Sequence, residues 1–502
     1  MKSVKWLLII SFLFALIGCG NFFTDDNTYL PDDLYSYEID SSRKEELINL
    51  AIIGDYSVSV DTVKEELGAF IKSNSSNSST STRSANINDD EISIDVVDSL
   101  SYDIEKASSI SRSTTIEQFD GVDFHIMTIE NNSVGTKGYA LTSNDRRIGT
   151  ILMIIEDEEF STEINDDPFF QIYLGNLECY IDSTAEIWNS ITDTDLTQQR
   201  STESTVTNDA YTYSNWSWTT NERCNLKTRW SQSRSPYPDA IRHYYGTYLG
   251  TTNGNKYITG CGAVAVAQIM AYKKYPQSCS SAEYSKLKNS SWSELTLNDG
   301  TLWDGKYEWD EMQTVKSAYL LNSDYEMQVA ALFFDVAEGI NSTYKYTGSA
   351  STSSGITNRL AFFKEKGYTY DSEQSYNFSA IKKSIDNNCP VMIRGYDEKD
   401  VETKNFLWWT YVVSVSYSGG HAWIIDGYAT GSCTATNSTN NSSVIINTNF
   451  VHCEPGWGNS TRYGYYVSGV FDMSKSALLN DRSVDADMYY QHNIKIVTNI
   501  KP

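Results

Sequence analysis

Thr259-Gly260-Cys261-Gly262-Ala263-Val264-Ala265-Val266-Ala267-Gln268-Ile269-Met270 places one cysteine at the mouth of an apolar, alanine-rich run. The Gly-Cys-Gly entry permits a sharp turn. The alanines favour a helix, and nothing breaks the pattern before Pro276. A thiol at a helix N-terminus feels the positive end of the helix dipole, which favours the thiolate. An ordinary cysteine is only roughly 3% thiolate at pH 7, so such a placement makes a nucleophile. Taken alone, the segment equally describes a buried structural cysteine leading into a core helix.

A nucleophilic thiol needs a base, and the chain has only five histidines. The most informative context is Ser418-Gly419-Gly420-His421-Ala422-Trp423-Ile424-Ile425-Asp426-Gly427-Tyr428. The glycines, Gly420 among them, allow close approach of backbone to a ligand. The apolar run that follows predicts a buried strand with His421 at its start, on the rim of a cleft. A satisfied histidine at a strand end is the plainer alternative.

The remaining composition bounds the problem. The 502 residues suffice for two or three domains, and the formal net charge of −26 argues against nucleic acid and against electrostatic docking on anionic lipid. Met1 to Lys5 is basic and Trp6 to Ile17 apolar, which fits a signal peptide better than a spanning helix. The run ends Leu16-Ile17-Gly18-Cys19, which resembles a bacterial lipobox with Cys19 as the lipidated residue. The expectation is an exported protein at the cell envelope or outside the cell, held to a membrane by its lipid anchor only. Seven cysteines follow Cys19; an odd number leaves at least one free, the other six could pair, and no CxxC spacing suggests zinc.

Residues 1–18 are expected to be the signal peptide and 19–45 a polar, acidic tether. Residues 46–190 carry a helix from Val60 to Ile71, strands at Phe124–Ile129 and Gly149–Ile155, and an amphipathic helix over Asp167–Tyr180, together a small α+β unit. Residues 73–91 are low in complexity and expected as a flexible loop or linker. The Ser/Thr-rich stretch over 191–218 is expected to be an exposed linker, where proteolytic cleavage concentrates. Residues 219–502 hold the strong motifs.

TGCGAVAVAQIMAYKKYP around Cys261 and GGHAWIIDGY around His421 occur in the order found in the streptopain family of bacterial cysteine proteases, which the chain resembles. The resemblance implies a papain-like α+β catalytic domain preceded by an inhibitory α+β prodomain. It implies a cysteine endopeptidase made as a zymogen, with protein or peptide substrates, its own prodomain as inhibitor, and no metal or organic cofactor. Leu226-Lys227-Thr228-Arg229-Trp230-Ser231-Gln232 resembles the family element whose glutamine is the oxyanion-hole donor, so Gln232 inherits that role. Tyr307 to Asp310, and Asn388 to Met392 ahead of the histidine strand, resemble further elements. Tyr346 to Gly355, with Thr352, resembles the loop on the substrate cleft. Gly138 to Arg147 resembles a segment of the family's propeptide.

One segment departs from the pattern. The family has FHxNWGWGG after the histidine strand, and this chain has Val451-His452-Cys453-Glu454-Pro455-Gly456-Trp457-Gly458-Asn459. Glu454 stands where the orienting asparagine belongs, and Pro455 where the first tryptophan belongs. Carboxylates orient the imidazole in other triads. Glu454 is therefore expected to accept a hydrogen bond from His421, with Trp457 retained beside the substrate and His452 structural. A non-catalytic surface binding protein or antigen that keeps the protease fold is the alternative reading. Another thiol hydrolase, such as a cell-wall amidase, ranks below it.

Overall fold

The structure, a computed structural model, describes residues 41–76, 92–104, 116–131, 136–162, 168–200, 211–221, 224, 226–232, 258–289, 296–315, 324–346, 350–398, 402–413, 417–456, 462–472 and 494–502. The expected signal peptide, Cys19, most of the tether and Trp457 lie outside them. Two helices open the described chain, α1 (Ser41–Ile53) and α2 (Val60–Ser76). Four strands follow, β1 (Ile92–Asp103), β2 (Gly121–Asn131), β3 (Thr136–Ser143) and β4 (Ile151–Glu156), and then the long helix α3 (Pro168–Asn189). The strands form an antiparallel meander. This is the α+β unit expected from the sequence. Of the expected loop over 73–91, residues 73–76 are the last turn of α2 and the rest lies outside the described residues.

The described parts of the expected linker include a helix and two short strands. Helix α4 (Asp193–Arg200) is fastened at its start by the Asp195 carboxylate, which accepts from Thr192 N–H at 2.8 Å. Leu196 of α4 is buried, and Lys44 of α1 pairs with Asp195 at 3.2 Å. Strands β5 (Tyr211–Tyr213) and β6 (Ser217–Asn221) then pair with the strand that carries His421. The polar composition over 191–218 hides a few anchoring apolar residues. Trp218 lies with its ring edge-on to Phe70 of α2 at 4.9 Å and 6.0 Å from Phe450.

The downstream half is built on α5 (Cys261–Lys273), whose residues Gly262 to Ala271 are all buried. Such complete burial matches its uniform Ala/Val/Ile/Met composition, since a helix without a polar face is covered all round. It ends at Lys274, which takes left-handed φ of 50°, ahead of Pro276. Helices α6 (Ser281–Asn289), α7 (Trp309–Met312) and α8 (Asp324–Gly339) follow. The hairpin β7 (Thr343–Tyr346) and β8 (Ala350–Ser353) leads into α9 (Ile356–Glu365). After β9 (Gln374–Ser375) and α10 (Phe378–Asp386) come β10 (Val391–Glu398), the hairpin β11 (Glu402–Phe406) and β12 (Trp409–Val413), and the long strands β13 (Tyr417–Asn437) and β14 (Ser443–Glu454). Strands β15 (Gly464–Val467) and β16 (Lys495–Val497) complete the chain.

One antiparallel sheet runs through both halves in the order β1-β2-β3-β4-β15-β14-β13-β10-β16-β9. The seam is β4 against β15, where Ile155 faces Gly464, Ile154 faces Tyr465 and Met153 faces Tyr466. Gly464 is required there, because a Cβ at that position would lie 2.0 Å from the Ile154 carbonyl oxygen. The apolar cores of the halves merge into a single cluster. None of the seven cysteines after Cys19 is in a disulfide, so none of the possible pairings forms.

Candidate active site

Cys261 is the first residue of α5, and Gly260 before it adopts φ of 93°, a left-handed value suited to glycine. A side chain at Gly260 would also press on Thr352, 3.0 Å from its Cγ2. Thr352 is in turn fixed through its hydroxyl to the Ile258 carbonyl. The substrate-loop residue expected from the sequence thus braces the turn that presents the thiol.

His421 lies within β13 rather than at its start, because the strand extends upstream to Tyr417 to pair with β10. Gly395 of β10 stands opposite His421, and Gly420 opposite Tyr396. The imidazole is 2% exposed and stacks on Trp423 with ring centres 5.9 Å apart. Its ring hydrogen-bonds the Cys261 thiol. Burial pushes the Cys261 thiol up, but the charge and hydrogen bond of His421, the Arg359 guanidinium and the Ala422 N–H outweigh it and bring it down to about 7. A neutral-pH thiolate is thereby within reach.

Gln232 is 2% exposed. Its backbone N–H donates to the Gly456 carbonyl at 3.3 Å, and its carbonyl accepts from Thr259 N–H at 2.8 Å. These bonds fasten it between the segment before Cys261 and the segment after β14. Its side-chain Nε2 is buried with no hydrogen-bond partner among the described residues. A buried donor without an acceptor is costly, and such a cost is retained where a ligand supplies the acceptor.

Glu454 does not accept a hydrogen bond directly from His421, contrary to expectation. Glu454 sits at the end of β14 opposite Ile424, fully buried, and its carboxylate pairs with Arg229 Nη1 at 3.1 Å. Its other oxygen accepts from Gly456 N–H at 3.2 Å. Burial pushes the Glu454 carboxyl up to about 7 against the pull of Arg229. The imidazole Nε2 lies instead 3.0 Å from the backbone carbonyl oxygen of Pro455. A carbonyl only accepts, so Nε2 carries the hydrogen and Nδ1 is left for the thiol. Motif alignment identifies the residue type at 454 but not the direction of its side chain, and it gives no hint of a backbone acceptor.

His452 is structural, as expected. It is fully buried, with Nδ1 2.5 Å from Asp426 Oδ1 and Nε2 3.7 Å from Glu156 of β4. A cleft of about 480 Å³ opens over the thiol, lined by Cys261, His421, Gly395, Thr352 and Ser353 among others. It also contains two arginines that the sequence reading missed. Arg394 pairs through two nitrogens with Glu373 at 2.5 and 2.9 Å. Arg359 of α9 is 8% exposed, donates to the Ser354 carbonyl at 2.6 Å, and packs so tightly on Gly262 that a Cβ there would lie 2.5 Å from its Nε. Nothing in the sequence marks it, since arginines in helices are usually solvated.

Residues 230–466 match the model of the peptidase C10 family. Among solved structures, the chain is similar to a fragment of prointerpain A from Prevotella intermedia, at 17% identity over 78% of this chain and 98% of that one, with a TM-score of 0.40. It is also similar to the active wild-type interpain A cysteine protease of that organism, at 19% identity over 55% of this chain and 94% of that one, with a TM-score of 0.30. No curated protein matches the chain. Cys261, His421 and Gln232 all lie within the span that matches the peptidase C10 family, the streptopain family, and the chain is a cysteine-type peptidase.

Proposed function

We propose that this peptidase is an endopeptidase exported through its signal segment, anchored through lipid on Cys19 and made as a zymogen with residues 46–190 as prodomain. The observation that carries the chemistry is the hydrogen-bonded Cys261–His421 pair on one cleft at the N-terminus of α5, with the thiol brought down to about 7. Cys261 thiolate attacks the scissile carbonyl carbon, forming the C–S bond as the carbonyl becomes an oxyanion. The Cys261 backbone N–H and Gln232 Nε2 donate to that oxyanion. The imidazolium gives its Nδ1 proton to the leaving amine, and the C–N bond breaks to leave a thioester. His421 then takes a proton from water, which attacks the thioester and releases the acid and the free thiol.

The prodomain assignment is supported by what the upstream half touches. Phe169 of α3 packs edge-on against Trp423 at 5.2 Å, the ring on which His421 stacks. Ile172 reaches to 3.3 Å from where a Cβ on the cleft residue Gly395 would stand. Release of this unit therefore changes the support of the histidine directly. The test is peptide hydrolysis by purified wild type and Cys261→Ala. Hydrolysis is expected in the first and absent in the second, and equal activity refutes the mechanism.

A further inference from the structure

Glu454 and Pro455 depart from the family pattern at the position that should hold the imidazole, yet the imidazole is held. The hydrogen bonds explain how. The Pro455 carbonyl that faces His421 Nε2 at 3.0 Å and the Gly456 N–H that faces Glu454 at 3.2 Å belong to one peptide unit. That unit is planar, and its C=O and N–H point in opposite directions. Whatever fixes the N–H therefore aims the carbonyl. Neither flanking residue does so alone: Gly456 has a φ of 82° in the region where glycine moves freely, and Pro455 has no N–H with which to anchor itself.

We propose that Glu454 and Arg229 are positioning residues for His421: the Glu454 carboxylate holds the Gly456 N–H, and through the shared peptide plane aims the Pro455 carbonyl at Nε2, while Arg229 holds the carboxylate. When ionised, this acceptor also polarises the peptide, which makes the Pro455 carbonyl a stronger acceptor for the imidazolium formed during turnover. Arg229 lies 3.1 Å from Glu454, and its guanidinium stacks 3.4 Å over the Tyr463 ring. It stands three residues before Gln232, whose N–H binds the Gly456 carbonyl at 3.3 Å. The same short segment thus ties the histidine support to the oxyanion donor.

This inference rests on the reading of His421 as the acid and base of the peptidase. Removing Glu454 alone leaves a half-buried arginine without its carboxylate and risks misfolding. The comparison is therefore made in an Arg229→Met background, with Glu454→Gln, which keeps an acceptor oxygen for Gly456 N–H, against Glu454→Met, which keeps none. Turnover of a fluorogenic peptide is measured per titrated active site. Relative to the parent, kcat is expected to fall about 10-fold in the Gln double variant and about 100-fold in the Met double variant, each with KM within about 3-fold. Equal kcat in the two double variants, or both within about 3-fold of the parent, overturns the proposal.

A second measurement separates this inference from the peptidase reading. The rate of alkylation of Cys261 by iodoacetamide, followed by mass spectrometry of its peptide across pH, needs no hydrolysis. A weakened imidazolium support moves the midpoint of that profile upward in the Met double variant. An unmoved midpoint refutes the positioning role, whereas a moved midpoint in a protein that hydrolyses nothing refutes only the peptidase reading.

Discussion

At Cys261 the helix dipole, His421 and Arg359 all act in one direction against burial. Arg359 is the least expected of these, because a cation at a helix N-terminus opposes the helix dipole unless an anion lies between them. The thiolate supplies that anion. Arg359→Met should therefore raise the Cys261 thiol above about 7. Below its midpoint the thiolate fraction falls about tenfold per pH unit, so iodoacetamide labelling at pH 6.5 should slow several-fold. At pH 9.5 the thiol is ionised in both proteins and the rates should converge, which also reports that the variant is folded. A slowing of the same size at both values removes Arg359 from the electrostatics. Cys261, His421 and Gln232 were legible in the sequence because short motifs fix residue type and order. Arg359 and the partner of His421 were not, because they depend on side-chain direction and on a backbone carbonyl.

Among the elements, α5 and β13 were foreshadowed by composition, since a helix or strand with no polar face must be buried. The linker was not. Its serines and threonines outnumber the few residues that dock it, and pairing with β13 is a long-range contact that local pattern does not encode. The join of β4 to β15 was equally hidden, although Gly464 is its trace. Gly464→Ala sets a methyl against the Ile154 carbonyl oxygen, where an ideal Cβ would lie at 2.0 Å. The obstacle is backbone and has nowhere to go, so the loss should be about 1–3 kcal/mol, read as a lower Tm. Gly68→Ala in α2 is the control, with only the Ile94 Cδ1 methyl nearby at 3.7 Å, and it should raise stability by about 0.5–1 kcal/mol. Equal responses at the two sites would contradict the seam.

Among the described residues, one large sheet and one apolar core span both sides of the 201–210 segment. Contacts that cross between the halves include the backbone ladder of β4 and β15, the aromatic packing of Phe70 on Trp218 and Tyr465, and the approach of Glu156 to the buried His452 at 3.7 Å. A peptide bond adds nothing to these beyond a high effective concentration. Cleavage between Arg200 and Tyr211 should therefore not by itself free the catalytic half. The Cys261→Ala protein nicked there by an added protease should elute from a sizing column as a single species containing both fragments at micromolar concentration, and separate only in denaturant. The nicked wild type should accordingly stay weakly active until the upstream fragment is itself degraded, because α3 still packs against Trp423. Two separate peaks immediately after nicking, with full activity in the later one, would show that the shared core contributes less to holding the halves than its continuity implies.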